Sequence, residues 1–308
     1  MKTKNGLRLG ISLPQSFPEQ KLDHAYLREY VTKAESLGFE DGWLTESILS
    51  KNFNLEPLTY IAYLAALTTR LRFGVAVIIL NTRNPVQLAK ALSNIDQLSN
   101  GRVIVGLGIG GNSAHYPAFG IPSGRRVARY EEAIRVMKAL WTEESANLKG
   151  EFWHLDGARM QPKPLQKPHM PLIFGGHSEP ALRRAVKLGD GWMAAGSTST
   201  DESLVSLKQI RGYLADAGRS EKDFWLSKRL YLAVDDNESH ARERLSAALS
   251  HQYGGSDQSQ VGLAATPSHL VDVLGTLQEA GAQHVLLNPA GDHMKQMDLL
   301  MDKVIPQL

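Results

Sequence analysis

LRFGVAVIILNTRNPVQLAKALSNIDQLSNGRVIVGL, residues 71–107, reads as a strand, a helix and a second strand in that order. Its first ten residues, Leu71 to Leu80, are rich in β-branched side chains and almost continuously apolar, the pattern of a strand covered on both faces. From Pro85 to Leu98 apolar residues return at helical spacing, and a proline suits the first turn. Arg102 to Leu107 is again a short apolar run. Two such runs joined by a helix predict a βαβ unit with parallel strands.

The same alternation extends in both directions. Upstream, Leu7 to Leu13 and Phe39 to Thr45 read as strands, and Leu22 to Leu37 and Pro57 to Thr69 as helices. Downstream, strands are expected at Pro171 to Phe174, Gly191 to Ala195, Phe224 to Val234 and His284 to Leu287, each trailed by a helical stretch. A helix is also expected over Val127 to Trp141. Eight strands alternating with helices predict an α/β fold, a (β/α)8 TIM barrel rather than an open doubly wound sheet. The period breaks in the Gly-, Pro- and aromatic-rich 108–125, in 149–170, and in the Gly/Ser/Gln-rich 253–260. Insertions are therefore expected after the fourth and seventh strands, at the C-terminal mouth where such barrels carry their sites. No flexible linker divides the chain, which reads as a single domain over 1–308.

Composition removes several classes of function. The 308 residues hold 43% hydrophobic side chains, enough to fill a core. Lys and Arg number 34 against 32 Asp and Glu, a net charge of +2 that gives no reason to expect nucleic acid or an anionic membrane as partner. The chain has no cysteine, which excludes disulfide scaffolds, thiolate metal sites and cysteine nucleophiles. The first residues lack an apolar signal core, and no apolar run reaches the roughly 18 residues of a membrane span, so a soluble cytoplasmic protein is expected. The ten histidines form no H-x-H or H-E-x-x-H pattern, so no metal site is expected, and there is no G-x-S-x-G elbow.

Two glycine clusters remain. Gly106, Gly108 and Gly111 match G-x-G-x-x-G after a strand, but Asn112 to Pro122 contains two prolines instead of an immediate helix, which argues against dinucleotide binding. Glycines there either let a flat ligand approach the backbone or make a tight turn. Gly175, Gly176, His177 and Ser178 stand between a strand and a helix, where free N–H groups make a phosphate site; Ser178 is equally a plain N-cap. Arg125, Arg126 and Arg129 open a helix, either as a solvated face or as an anion contact.

Beyond these local signals, the chain resembles the luciferase-like superfamily of flavin- and deazaflavin-dependent oxidoreductases. The resemblance rests on LGISLP (Leu9 to Pro14), ESLGFEDGWLTE (Glu35 to Glu46) and the run from Glu56 to Pro85. It continues through LAKALSNIDQLSNGRVIVGLGIGG (Leu88 to Gly111), Phe119 to Trp141 and PLIFGGHSEPALRRAVKLGDGW (Pro171 to Trp192). It implies the same barrel, usually as a homodimer, with an isoalloxazine-like ring across the mouth. Ala76 and Val77 match the family's bulge after the third strand, often a non-proline cis peptide. Gly108, Gly110, Gly111 and Asn112 match its glycine turn, and Gly175 to Ser178 its phosphate loop.

The resemblance further implies coenzyme F420 or FMN as cofactor and a small organic substrate. The ES-x-L at Glu46 to Leu49 followed by EPLT favours the deazaflavin F420, which supports only hydride transfer. FMN would instead open oxygen activation and monooxygenation, and a non-catalytic flavin-binding barrel is the rival reading. Two departures stand out. Ser47 occupies the slot where many relatives carry His, and Gly111 the slot of a Glu in the deazaflavin sugar-phosphate dehydrogenases. The catalytic candidates left at the second strand's end are Glu46 and Ser47.

Overall fold

Polar side chains fix where most helices begin. Asp23, Glu56, Asn84, Ser199 and Thr266 each accept a first-turn N–H with a side-chain oxygen, and Pro57, Pro85 and Pro267 stand in the first turn. The computed structural model describes residues 2–17, 19–111, 115–122, 124–253 and 261–308, without side chains at 251–253. In chain order come β1 (Arg8–Ser12), α1 (His24–Ser36), β2 (Asp41–Leu44), α2 (Pro57–Ala66), β3 (Arg72–Val75), β4 (Ile78–Ile79), α3 (Pro85–Leu98) and β5 (Val103–Gly108). Next are α4 (Arg126–Thr142), β6 (Ala146–Lys149), β7 (His154–Ala158), β8 (Leu172–Phe174), α5 (Glu179–Leu188), β9 (Gly191–Ala194) and α6 (Thr200–Asp216). The chain ends with β10 (Trp225–Val234), α7 (Glu238–Tyr253), β11 (Leu263–Ala265), α8 (Pro267–Glu279), β12 (His284–Pro289) and α9 (His293–Leu299). No helix among the described residues is long and apolar enough to cross a membrane.

The chain forms two compact units. The first comprises Met1–Pro14, Asp23–Trp43 and Ile173–Leu308. Within it the parallel strands run in the order β8, β9, β10, β12, β1, β2, with β11 also paired to β10. Leu9, Ile11, Trp192, Leu226, Val285 and Leu287 fill the space behind this sheet and are buried. At the strand entrances Asp41 accepts from Trp43 Nε1 at 2.6 Å and bonds His284 Nε2 at 2.9 Å. A Cβ on Gly10 would stand 2.0 Å from that carboxylate, so glycine is what lets β1 pass it.

The second unit comprises Gln15–Leu22 and Leu44–Leu172. Here β3 and β4 both pair in parallel with β5. Arg102, 9% exposed, donates to the carbonyls of Ala65, Thr68, Leu71 and Ser99 and to the Thr68 hydroxyl, tying α2 and the start of β3 to the entrance of β5. The hairpin β6–β7 docks on α4 through Glu132, whose buried carboxylate accepts from the N–H groups of Glu151, Phe152 and Trp153 at 2.7–2.9 Å.

Three expectations change. Leu71 to Leu80 is two strands separated by a break, and 149–170 holds β7, the second strand of a hairpin that the helical period does not reveal. The seventh-strand insertion falls largely on 254–260, outside the described residues, and is followed by the unexpected β11.

Candidate functional site

The break between β3 and β4 is the central feature of the second unit. Phe73 and Gly74 pair with Val103 and Ile104, whereas Ile78 and Ile79 pair with Leu107 and Gly108. From Gly74 to Ile78 is four steps and from Ile104 to Leu107 three, so the β3–β4 side carries a one-residue bulge. The Ala76–Val77 peptide within it is cis, as the resemblance implied, and Ala76 N donates to Leu44 O at 2.8 Å.

Glycines at alternate positions of the neighbouring chain face this bulge. A Cβ on Gly106 would lie 1.9 Å from the Val75 carbonyl oxygen, one on Gly108 2.5 Å from a Val77 methyl, and one on Gly110 2.7 Å from an Ile79 methyl. The glycines that pack against the bulge are thus spaced 106, 108, 110, a two-residue period, and not the G-x-G-x-x-G of a nucleotide loop. A Cβ on Gly111 would meet nothing within 4 Å among the described residues, and Asn112 lies outside them. Past the turn, Tyr116 donates from its hydroxyl to Ile109 O at 3.0 Å, and buried Asn81 donates to Arg126 O at 3.2 Å. Arg126 reaches Gly111 O at 3.3 Å, Arg125 pairs with Glu151 at 2.6 Å, and Arg129 lies over the Trp153 ring at 4.6 Å. The arginine cluster therefore braces this segment from within the unit.

Glu46 is held, and not free. One carboxylate oxygen accepts from Ile79 N at 2.5 Å and the other from Arg83 Nε at 2.6 Å, while the Arg83 guanidinium reaches Glu56 at 2.6 Å. The Glu46 side chain is fully buried, Arg83 is 17% exposed and Glu56 33% exposed. Burial raises the Glu46 carboxyl above the ordinary carboxylate range; Arg83 and the Ile79 N–H oppose this, and Glu56 adds to it. For Glu56 burial works upward too, but the Thr59 N–H and Arg83 hold its carboxyl below that range. One guanidinium thus serves two carboxylates, and Glu46 clamps the residue that follows the bulge. Ser47, next in the chain, is half-buried and its hydroxyl has no hydrogen-bond partner among the described residues.

In the first unit, Gly175 to Ser178 link β8 to α5. Gly176 has φ +113°, a conformation that favours glycine, and its carbonyl accepts from Trp192 Nε1 at 2.7 Å. The N–H groups of Gly176, His177 and Ser178 meet no acceptor among the described residues. Ser178 stands at the N-cap, but its hydroxyl caps nothing, so the plain-cap reading does not hold. The start of α6 is different: Ser199 and Glu202 form a reciprocal capping box, and Glu202 closes the helix end with its own carboxylate. Sequence reading also missed Lys228, buried on β10, whose ammonium donates to Ala195 O at 2.8 Å and Thr198 O at 2.6 Å. Burial, moderated by Glu202 and reinforced by Arg229, brings its pKa down to about 7. Its signal was a Ser-Lys-Arg run inside a strand that is apolar on either side of it. Arg83 and Glu56 were missed because their partners lie 37 and 27 residues away along the chain.

The sequence model of the luciferase-like monooxygenase family matches residues 7–307. The chain belongs to that family. An uncharacterized protein of Mycobacterium tuberculosis is 35% identical over 167 residues, 54% of this chain and 58% of the relative. The chain thus spans under two thirds of that relative's length. The FMNH2-dependent dimethylsulfone monooxygenase of Pseudomonas putida is 28% identical over 235 residues, 74% of this chain and 63% of the relative. Among solved structures, an F420-dependent secondary alcohol dehydrogenase in complex with an F420-acetone adduct superposes with a TM-score of 0.83 at 19% identity, covering 100% of this chain and 99% of the other. That likeness establishes the fold, a (β/α)8 barrel.

Proposed function

We propose that the protein is an oxidoreductase that holds a flavin-type cofactor, coenzyme F420 before FMN, and exchanges a hydride with a small organic substrate. The observation that carries this reading is the three-glycine face against the bulge. It strips side chains from one strand so that Val75, Val77 and Ile79 of the neighbouring strand can pack against its backbone, and the bulge held in this way is the surface against which a flat ring would lie. When bound, such a cofactor supplies the electron chemistry, and the protein supplies orientation and exclusion of water.

Each group of residues then has its own task. Ala76, Val77, Gly108, Gly110, Gly111 and Asn112 seat the ring. Gly175, Gly176, His177 and Ser178 take the phosphate on open N–H groups at the start of α5. Glu46 fixes the bulge through Ile79 and moves no proton. Ser47 offers a hydroxyl to cofactor or substrate; near neutral pH it is no general base. A single family match spanning both units supports reading residues 1–308 as one domain. The family's usual homodimer and a cytoplasmic location belong to the same proposal. The Pseudomonas putida relative favours a second reading, an FMN-dependent monooxygenase. Titrating the purified protein with FMN and with coenzyme F420, followed by absorbance, decides between them. Binding of neither would remove both.

A further inference from the structure

The eleven residues Thr45 to Leu55 that follow β2 form a loop whose two ends are joined by one side chain. Gln15, 8% exposed, donates from its amide to Thr45 O at 2.7 Å and Leu55 O at 2.6 Å, and its oxygen accepts from Thr45 N at 2.8 Å. Ser16 bridges Asn54, and Phe17 N donates to Phe53 O at 3.0 Å. The Phe17 ring stands edge-on to Phe53 with centroids 6.1 Å apart. The loop is therefore shaped before anything binds, and a preshaped loop loses little entropy on binding. What it presents is apolar: Ile48 is 42% exposed, Leu49 49% and Phe53 40%.

We infer that Ser47 to Phe53 is the substrate-selecting wall of this protein, and that it selects an uncharged, largely apolar organic molecule bearing one neutral oxygen. This rests on the proposed function above. Continuity supplies the position: Glu46 is bonded to Ile79 N, so the loop leaves directly from the bulge and its half-buried apolar residues. Charge supplies the class. Glu46 and Glu56 set two negative charges against the one positive charge of Arg83, and Lys51, the one charge between Ser47 and Phe53, brings the formal sum of the loop and its anchors to zero. The Ser47 hydroxyl, unpartnered among the described residues, suits one carbonyl or hydroxyl oxygen.

Two dyes that share an aromatic skeleton and differ by a sulfonate test this on the full chain. These are neutral N-phenyl-1-naphthylamine and anionic 8-anilino-1-naphthalenesulfonate, titrated by fluorescence in phosphate buffer. The neutral dye is expected to bind roughly tenfold more tightly, and Ile48→Asp/Leu49→Asp to weaken it by a similar factor. Both positions are well exposed and stand outside the Phe17–Phe53 contact that shapes the loop, and the urea midpoint of the double variant checks that it folds. Equal affinity for the two dyes, or neutral-dye binding untouched by the double variant, overturns the inference. So does a self-association in sedimentation that the double variant abolishes, since the patch would then join copies of the chain. Titration of the same samples with FMN and F420 keeps the two claims apart. Cofactor binding without the dye pattern rejects the wall alone, and the dye pattern without cofactor binding rejects the proposed function.

Discussion

Two arginines of the second unit, one buried and one half-buried, sit at opposite ends of its strands. Arg102 stands just before β5 and turns its guanidinium toward the carbonyls of Ala65, Thr68, Leu71 and Ser99. Arg83 stands just past β4 and turns toward two carboxylates, Glu46 and Glu56. The first knits backbone to backbone. The second carries charge to the strand exits, one bond away from the bulge. In a (β/α)8 barrel the entrances hold the fold and the exits hold the chemistry, and this pair divides the two tasks by the kind of acceptor each arginine meets.

The largest effect is expected at the entrance. Arg102→Met keeps the apolar stem but leaves five acceptors without their donor, in a site that admits little water. Loss of roughly 3–5 kcal/mol is expected, read as a fall in the urea midpoint. Cofactor affinity of the folded fraction should not change. A folded Arg102→Met protein with weakened cofactor binding would erase the division of labour.

At the exit, the expected signature is a dependence on pH. The folded-state pKa of Glu46 lies above its unfolded value, so between the two the folded protein holds the extra proton. Stability from this group is therefore present below the unfolded pKa and falls as pH rises through the folded one. Arg83→Met should steepen this, because Glu46 loses the charge that opposes its burial. A loss of about 2–3 kcal/mol at pH 8, regained on acidification, is expected from denaturation curves across pH. Partial exposure of Arg83 and Glu56 keeps the figure below that of a fully buried pair. Glu56 and Glu132 have the opposite sign: both are held below the carboxylate range, so their contribution is lost as pH falls through their folded values. A pH-independent Arg83→Met deficit would show that Glu46 is already protonated in the native protein.

Much of the entrance side was legible in the sequence, and much of the exit side was not. The run from Arg102 to Leu107 reads as a strand because apolar burial writes itself into consecutive residues, and β5 lies at Val103–Gly108. The bulge inside Leu71 to Leu80 does not read, because one extra residue leaves a β-branched run looking continuous. Gly106, Gly108 and Gly110 were visible as glycines, yet their reason lies in Val75, Val77 and Ile79 of another strand. The cis peptide at Ala76–Val77 was legible through resemblance alone. The hairpin β6–β7 escaped because its strands are four and five residues long and mostly exposed, without an apolar stripe to count.

The first unit offers a similar contrast between two helix starts, and a sharper one. The start of α6 is closed by Glu202, while that of α5 leaves three N–H groups open. Gly176→Pro is not a clean test, since φ +113° is closed to proline and the loop would be reshaped. Ser178 has φ −70°, which proline adopts, so Ser178→Pro removes one donor and little else. Cofactor affinity is expected to fall roughly tenfold, about 1.4 kcal/mol. Equal affinity in the two proteins would move the phosphate elsewhere.

The smallest expected effect separates Ser47 from its neighbour. Glu46 and Ser47 are adjacent at the end of β2, yet the carboxylate is saturated by Arg83 and Ile79 whereas the hydroxyl is unused. An unused hydroxyl in a half-buried place adds nothing to stability, so Ser47→Ala should leave the urea midpoint where it was. If the hydroxyl serves a bound molecule, the same change removes one neutral hydrogen bond from the complex. Cofactor affinity or turnover should then drop by roughly 0.5–1.5 kcal/mol, without loss of activity. The two readouts pull apart the alternatives. A falling midpoint would mean that the hydroxyl caps backbone in solution, and unchanged binding and turnover would place the ligand's polar contact on another residue. Abolished turnover with cofactor still bound would give Ser47 the proton, a task that a lone hydroxyl performs only beside a base, and would require a base near Ser47 other than the saturated Glu46.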